Sequence, residues 1–480
     1  MTRTNKPDPK NLYFIGIAGT GMATVAGLAR QAGFNVEGSD QAIYPPMSQV
    51  LKRLNINVNT PYAANNISEN PDPDLFIVAN ALSRGHEELE AAIESGVPFT
   101  SFPDFMGRYI LDQKTPIVVA GTHGKTTTSS MLAFLLEKLG EKPGYFIGGQ
   151  PKDLDSGYEL GEGPCFVLEG DEYDTAFFDK NSKFLHYRPK FVIFNNLEFD
   201  HADIFNSLED IKKQFRSLLE LVEDKSHIVA NVDDDGVRNF LYEEQLLEKV
   251  TTVSTRGLIP NADFCVESIE SKGEGWSCTL RCYDELITFD TTLFGDYNMA
   301  NLAQVVACSK LLMKTSVIKA RQLSEIAPIL KQFHGVGRRL DLITEQDGIR
   351  VYEDFAHHPT AVKQVIAGFK RTHPSERLIV AFEPRNATSR RDIFLEDYAK
   401  SFHEADSILI GKCPIDLRIA AEDRMDTSTL AQLIGEKAKA FDSNEELLTW
   451  LKTTVKANDS IIFMSSGSFS GIQYEVCDKL

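Results

Sequence analysis

An apolar strand that runs into a glycine-rich turn and then a helix leaves few architectures open, and TPIVVAGTHGKTTTSSMLAFLLEKLG, residues 115–140, is such a unit. A strand of this kind belongs to a parallel sheet buried on both faces. The loop after it lies at the carboxyl edge, where open α/β sheets bind ligands. Gly121, Gly124, Lys125 and Thr126 follow the strand. Backbone N–H groups and the lysine of such a loop cradle phosphates, and the threonine hydroxyl is a ligand for Mg2+. The spacing is tighter than in the standard phosphate loop, whose first glycine would stand where Val119 does. From Ser129 the chain reads as a helix whose dipole faces the phosphates. A nucleoside triphosphate is the expected ligand; a chance Gly-Lys-Thr after a strand is the alternative.

A phosphate loop needs carboxylates to hold its metal. VLEGDEYD supplies Glu169, Asp171, Glu172 and Asp174 at the end of one apolar strand, and NNLEFDHADIF supplies Glu198, Asp200, His201 and Asp203 after another. Strand ends of a parallel sheet converge on one edge, and oxygen-rich clusters suit Mg2+. Either cluster alone would be read as a solvated turn.

A second glycine loop comes earlier. In IGIAGTGM, Gly16, Gly19 and Gly21 stand between a strand and a helix expected over about Met22 to Ala32, and Asp40 ends the next strand. Glycines let the backbone approach a pyrophosphate, and an acid further on can hold a ribose hydroxyl. The G-x-x-G-x-G spacing departs from the usual fingerprint, and a tight turn without ligand is the alternative. A third alternating block begins near FHGVGRRLDL, with a hairpin turn expected at Asp347-Gly348, then RLIVAFEP, SILIG and SIIFMSS. At roughly 150 residues per domain, 480 residues suggest about three domains. The expected fold is α/β throughout: a Rossmann-like N-terminal domain (1–114), a P-loop ATPase-type central domain (115–331) and a Rossmann-like C-terminal domain (332–480).

Fifty Lys and Arg against 69 Asp and Glu give a net charge of −19, which argues against non-specific nucleic-acid binding. Focused cations in a cleft can still receive anions. The seven cysteines show no CxxC pair and read as free thiols of a reducing compartment. Leu12 to Ala29 is uncharged but carries Gly16, Gly19, Gly21 and Gly27, a poor composition for a membrane span. A cytoplasmic protein with no membrane and no obligate protein partner is expected.

GTHGKTT, the strand-end glutamate, NNLEFDH, Gly295/Asn298/Asn301, GVGRR and DFAHHPT together resemble the Mur ligases, ATP-dependent amide-bond ligases of bacterial cell-wall synthesis, over nearly the whole chain. YPPMS, NALSRG, EGDEYDTAFFDKNSKFLHYRPK, EPRNAT and SSGSFSGI are similar to the branch that joins L-Ala-γ-D-Glu-meso-diaminopimelate to UDP-N-acetylmuramate, while GIAGTGM is similar to the L-alanine-adding branch. The resemblance implies ATP and Mg2+ as cofactors, with UDP-N-acetylmuramate and murein tripeptide as substrates. It implies ATP contacts from Gly121, Thr122, His123, Gly124, Lys125, Thr126, Thr127, Asn298, Asn301, Arg339 and Asp354. Thr126, Glu169 and His201 would hold metal, and Lys125, His201, Arg339 and His357 would act in catalysis. Gly16, Gly19, Thr20, Gly21, Asp40 and Asn80 would meet the UDP-sugar, and His358, Arg385 and Asn386 the peptide. HHP is alternatively a cap for a helix starting near Pro359. Tyr297 stands where the family motif has histidine, and Arg216 stands where several members carry a carbamylated lysine, so no carbamate is expected. Other readings are a non-catalytic nucleotide sensor and a nicotinamide-dependent dehydrogenase; the latter leaves the Lys-Thr loop unexplained. Closure of the third block onto the second is expected about a hinge near Lys331.

Overall fold

The computed structural model describes residues 8–45, 47–69, 73–259, 261–272, 275–320 and 322–476. Among the described residues three large sheets follow one another along the chain, beside a two-stranded ribbon of Asp174–Ala176 and Asp179–Ser182. The first is wholly parallel, in the spatial order Asn57–Asn59, Asn35–Ser39, Asn11–Ile15, Leu75–Val78, Phe99–Ser101. The uncharged segment Leu12 to Ala29 resolves into a strand, a turn and the helix Thr20–Gln31, which starts two residues before the expected Met22. Among the described residues no helix is long and apolar enough to cross a membrane.

The second sheet has ten strands, with Thr115–Ala120 between Cys165–Gly170 and Phe191–Phe194 and parallel to both. Alternate residues of Thr115–Ala120 enter different cores. Val118 and Ala120 join the packing that continues into the N-terminal domain, whereas Ile117 and Val119 pack with the helices Lys125–Lys138 and Asp296–Lys314. That division is the period-two alternation of a strand covered on both faces. Beyond Thr251–Ser254 the sheet extends as an antiparallel meander through Phe264–Lys272, Gly275–Cys282 and Glu285–Thr291.

The third sheet runs Asp341–Gln346, Ile349–Asp354, Asp459–Met464, Arg377–Phe382, Ser407–Ile410, Ala438–Ala440, with only the first strand antiparallel. Its opening hairpin turns at Asp347 and Gly348, whose φ values of 52° and 76° are those of a primed turn. Six cysteines are free, five of them buried; Cys477 lies outside the described residues.

Phe194 is fully buried, stacked on Phe215 at 4.8 Å and edge-on to Phe240 at 6.0 Å. It anchors the strand whose end carries Asn195 to His201. Phe194→Ala is expected to destabilise the central domain by about 3–5 kcal/mol, read as a fall in the lowest thermal unfolding midpoint by calorimetry.

Candidate active site

Three strands of the central sheet end side by side, and their loops build one wall of a cleft of about 1420 Å³. The first loop is Gly121–Gly124. Gly121 (φ 137°) and Gly124 (φ 78°) adopt backbone angles that side chains resist. An added Cβ on Gly124 would lie 2.9 Å from both Asn195 Nδ2 and Asn301 Oδ1. The two asparagines after Phe191–Phe194 clasp the loop: Asn196 Oδ1 accepts from the His123 N–H at 2.7 Å, and Asn195 Nδ2 donates to the His123 carbonyl at 3.2 Å. The helix begins at Lys125 rather than Ser129, so its free N–H groups rise directly from the loop.

Glu172 sits at the centre, 2% exposed, between two cations. Lys125 Nζ donates to it at 2.9 Å and to the Gly121 carbonyl at 2.6 Å, while His201 Nε2 meets its other oxygen at 3.0 Å. Burial opposes charge on all three, but mutual attraction outweighs it: Lys125 and His201 are held above their ordinary pKa values and Glu172 below. His201 adopts φ 56°, a costly conformation for a side-chain-bearing residue, in a turn that directs its ring to Glu172. Its Nδ1 is buried without a hydrogen-bond partner. Glu169 accepts the Gly148 N–H at 3.0 Å and pairs with Thr126; burial raises its pKa, with Lys125 and Arg339 opposing in part.

Arg339 lines the opposite wall, 5.1 Å over the Phe355 ring, while its neighbour Arg338 is tied to Glu353 at 2.6 Å. Asp354 is 3% exposed and accepts the Leu340 and Ala356 N–H groups at 2.6 and 2.7 Å; burial raises its carboxyl, opposed by Arg339. His357 and His358 are both pushed down to about 4, chiefly by burial. His357 Nδ1 donates to the Phe355 carbonyl at 2.8 Å, leaving Nε2 as the bare nitrogen. His358 is the N-cap of the helix Pro359–Thr372, the capping alternative open in the sequence, and packs against Glu198 and Phe199 of the central domain.

The cleft gathers Gly19, Thr20, Gly21, Asn80, Thr122 to Thr127, Glu169, His201, Asn298, Asn301, Arg339, Asp354, His357 and His358. Gly16, Asp40, Gly121, Arg385 and Asn386 lie outside its lining. Gly16 is required by packing, with φ 90° and an added Cβ 2.6 Å from Ala79. Asp40 spends its oxygens on the Ala18 and Gln41 N–H groups, each at 2.8 Å, so it braces the first glycine loop. Asn80 donates to Asp174, joining the N-terminal and central domains. Gly121 shapes the loop from beneath, its carbonyl held by Lys125. Asn298 and Asn301 bond to each other at 3.2 Å, with Asn301 against Gly124. Arg385 lies 4.0 Å from Glu383, 44% exposed, and Asn386 caps the turn to Ser389. Tyr297 packs on Gly295, where burial raises its hydroxyl pKa. Arg216 pairs with Glu244 away from the cleft. Sequence reasoning placed Glu172 and Glu198 in acidic clusters without assigning them roles. The signal available was position: each follows an apolar strand within a few residues of a loop cation's reach.

Comparison with known proteins agrees along the chain. Residues 11–114 match the family description "Mur ligase family, catalytic domain", 119–309 "Mur ligase middle domain", and 338–467 "Mur ligase, glutamate ligase domain". The chain is 35% identical to the UDP-N-acetylmuramate--L-alanyl-gamma-D-glutamyl-meso-2,6-diaminoheptandioate ligase of Escherichia coli K12, over 98% of each chain. It is 29% identical to the UDP-N-acetylmuramate--L-alanine ligase of Desulfitobacterium hafniense, over 96% of this chain and 97% of that one. The crystal structure of a murein peptide ligase from Psychrobacter arcticus superposes with a TM-score of 0.68 at 30% identity, covering 98% of both.

The Glu172 contact predicts that His201 holds its proton more tightly than a free imidazole does. In an NMR titration its ring is expected to lose its proton above the ordinary imidazole value of about 6.5. Glu172→Gln is expected to bring that midpoint down. A His201 midpoint at or below the ordinary value in the unaltered chain would contradict the arrangement.

Proposed function

This chain belongs to the Mur ligase family, and from that premise we propose that it joins L-Ala-γ-D-Glu-meso-diaminopimelate to UDP-N-acetylmuramate at the expense of ATP. The carrying observation is the full-length 35% identity to a ligase of that specificity, together with a cleft that holds the phosphate-loop lysine opposite Arg339. ATP phosphorylates the muramyl carboxylate, the peptide amine attacks the acyl phosphate, and phosphate leaves. Such chemistry rests on positioning and charge neutralisation.

Lys125 would leave Glu172 for the β- and γ-phosphates, and Arg339 would meet the γ-phosphate from the C-terminal side. Thr126 and Glu169 offer paired oxygens, and Glu169's raised pKa marks a carboxylate short of positive charge; both fit Mg2+. His201 would have to give up its Nδ1 proton as a cation binds, and the neutral ring, with Nε2–H donated to Glu172, would then offer Nδ1 with Glu172 orienting it from behind. When bound, Mg2+ would neutralise phosphate charge. His357 presents its bare Nε2 where an N–H of the incoming amine can be held. The loop Gly19–Gly21 at the N-terminus of Thr20–Gln31 would receive the UDP pyrophosphate. Arg385 and Asn386, outside the lining, would take part in recognition of the tripeptide carboxylates after a shift of the 383–391 segment. We place this work in the cytoplasm, in the recycling of cell-wall peptide.

The test is ADP release with UDP-N-acetylmuramate, ATP and Mg2+, offering tripeptide and L-alanine in parallel. Turnover with tripeptide alone is expected; turnover with L-alanine alone would assign the chain to the other branch. Lys125→Ala is expected to lower kcat at least about 100-fold, the scale for losing one preorganised charge. Arg385→Ala is expected to cut activity with tripeptide, and equal activity of both proteins would remove Arg385 from recognition.

A further inference from the structure

A second group of ligand atoms converges beside the phosphate loop and shares no residue with Thr126, Glu169 and His201. His123 Nε2 lies 3.1 Å from Glu198 Oε2, and His358 Nδ1 lies 3.3 Å from that same oxygen. All three atoms fall within 4.8 Å of one another. Tetrahedral Zn2+ with bonds of about 2.0–2.2 Å separates its ligand atoms by about 3.4 Å, close to the two shorter edges observed.

Proton placement carries the argument further. His358 Nε2 faces the Phe199 carbonyl at 3.3 Å, and a carbonyl only accepts, so Nε2 bears the hydrogen. The neutral ring then turns the Nδ1 lone pair toward Glu198 Oε2, a contact between two electron pairs that a proton or a bound metal cation relieves. The Thr360 N–H, at 3.4 Å, reaches Nδ1 weakly. Thr360 Oγ1 donates to Glu198 Oε1 at 3.0 Å, leaving Oε2 for the site. An imidazole fixed through its far N–H by a carbonyl and a carboxylate fixed by a hydroxyl are the outer partners that metal ligands take. Two nitrogens and one oxygen suit Zn2+, Co2+ or Ni2+ better than Mg2+. All three residues border the cleft, which leaves a fourth position open to water.

We propose that His123, Glu198 and His358 form a divalent transition-metal site that staples the C-terminal domain to the phosphate loop. His123 and Glu198 belong to loops of the central sheet, whereas His358 caps the first helix after the leading hairpin of the C-terminal sheet. A bound ion holds the two together, so Zn2+ at this site acts as a brake on any cycle that needs the cleft to open. The inference stands on these three side chains alone and is independent of which peptide is joined.

The experiment titrates Co2+ into the full-length chain and reads the intense visible bands of tetrahedral cobalt. One equivalent is expected to bind, to be displaced by Zn2+, and to raise the thermal midpoint without substrates. His123→Ala, His358→Ala and Glu198→Gln are each expected to weaken Co2+ binding at least about tenfold. His334→Ala, at an exposed pair with Asp153, is expected to leave it unchanged. Metal-free thermal midpoints establish that each variant is folded, and Glu198→Gln serves where a histidine variant is not. Absence of tetrahedral bands, or bands of unchanged affinity in the folded Glu198→Gln or histidine variants, would overturn the site.

Discussion

Glu172, buried between Lys125 and His201, is the contact on which the site's geometry turns. A carboxylate 2% exposed is costly to desolvate, and it persists here because two cations share it. Removing either partner strands charge in a low-dielectric setting, a loss of about 3–5 kcal/mol for a broken buried pair. The arrangement also keeps Lys125 folded back onto its own loop, bonded to the Gly121 carbonyl. An incoming polyphosphate offers the lysine a better anion, and Glu172 retains His201 after the exchange. One carboxylate thereby links the lysine of the phosphate loop to His201.

The remainder of the fold brings groups from distant sequence positions to that point. Parallel strands deliver Gly121–Lys125, Glu169–Glu172 and Asn195–His201 to one edge, and the C-terminal sheet delivers Arg339, Asp354 and His357 to the facing wall. Contacts across the gap are specific: Thr360 with Glu198, the Ala202 N–H with Thr388, Lys152 with Asp341, and Arg371 with Asp296. The described arrangement thus already has the domains meeting. Acids outnumber cations in the lining of the cleft, and Lys125 and Lys183 are each paired with a carboxylate, so an anion entering there must exchange for a carboxylate or arrive with a cation.

The sequence made contiguous features legible. Lys125 and Thr126 follow a strand directly, so loop, cation and hydroxyl were read together. The hairpin at Asp347-Gly348 and the alternating strands were legible for the same reason. Roles decided by side-chain direction were not. Glu169 and Glu172 stand three apart in one acidic cluster, yet one faces Thr126 and Gly148 while the other faces Lys125 and His201. Asp40 sits at the position of a ribose acid, but the Ala18 and Gln41 N–H groups engage it. The antiparallel direction of the extension after Thr251–Ser254 is not legible in the sequence, because ladder direction depends on tertiary pairing.

The histidines divide the cleft electrostatically. Burial opposes charge on His201, His357 and His358; the Glu172 contact outweighs it for His201, whereas Asp200 and Glu198 do not outweigh it for the other two, which fall to about 4. Their linkage to stability has opposite sign. The His201 contribution is complete below the ordinary imidazole value of about 6.5 and is lost as pH rises through its raised folded value. The contribution of His357 and His358 is complete above about 6.5 and drains away as pH falls toward about 4. The environment therefore biases His201 toward its charged form and His357 and His358 toward their neutral forms. An amine acceptor needs uncharged nitrogen beside it, and a polyphosphate needs positive charge. The fold sets one residue type to two different biases by giving His201 a hydrogen-bonded carboxylate at 3.0 Å, while the Nδ1–H of His357 goes to the Phe355 carbonyl.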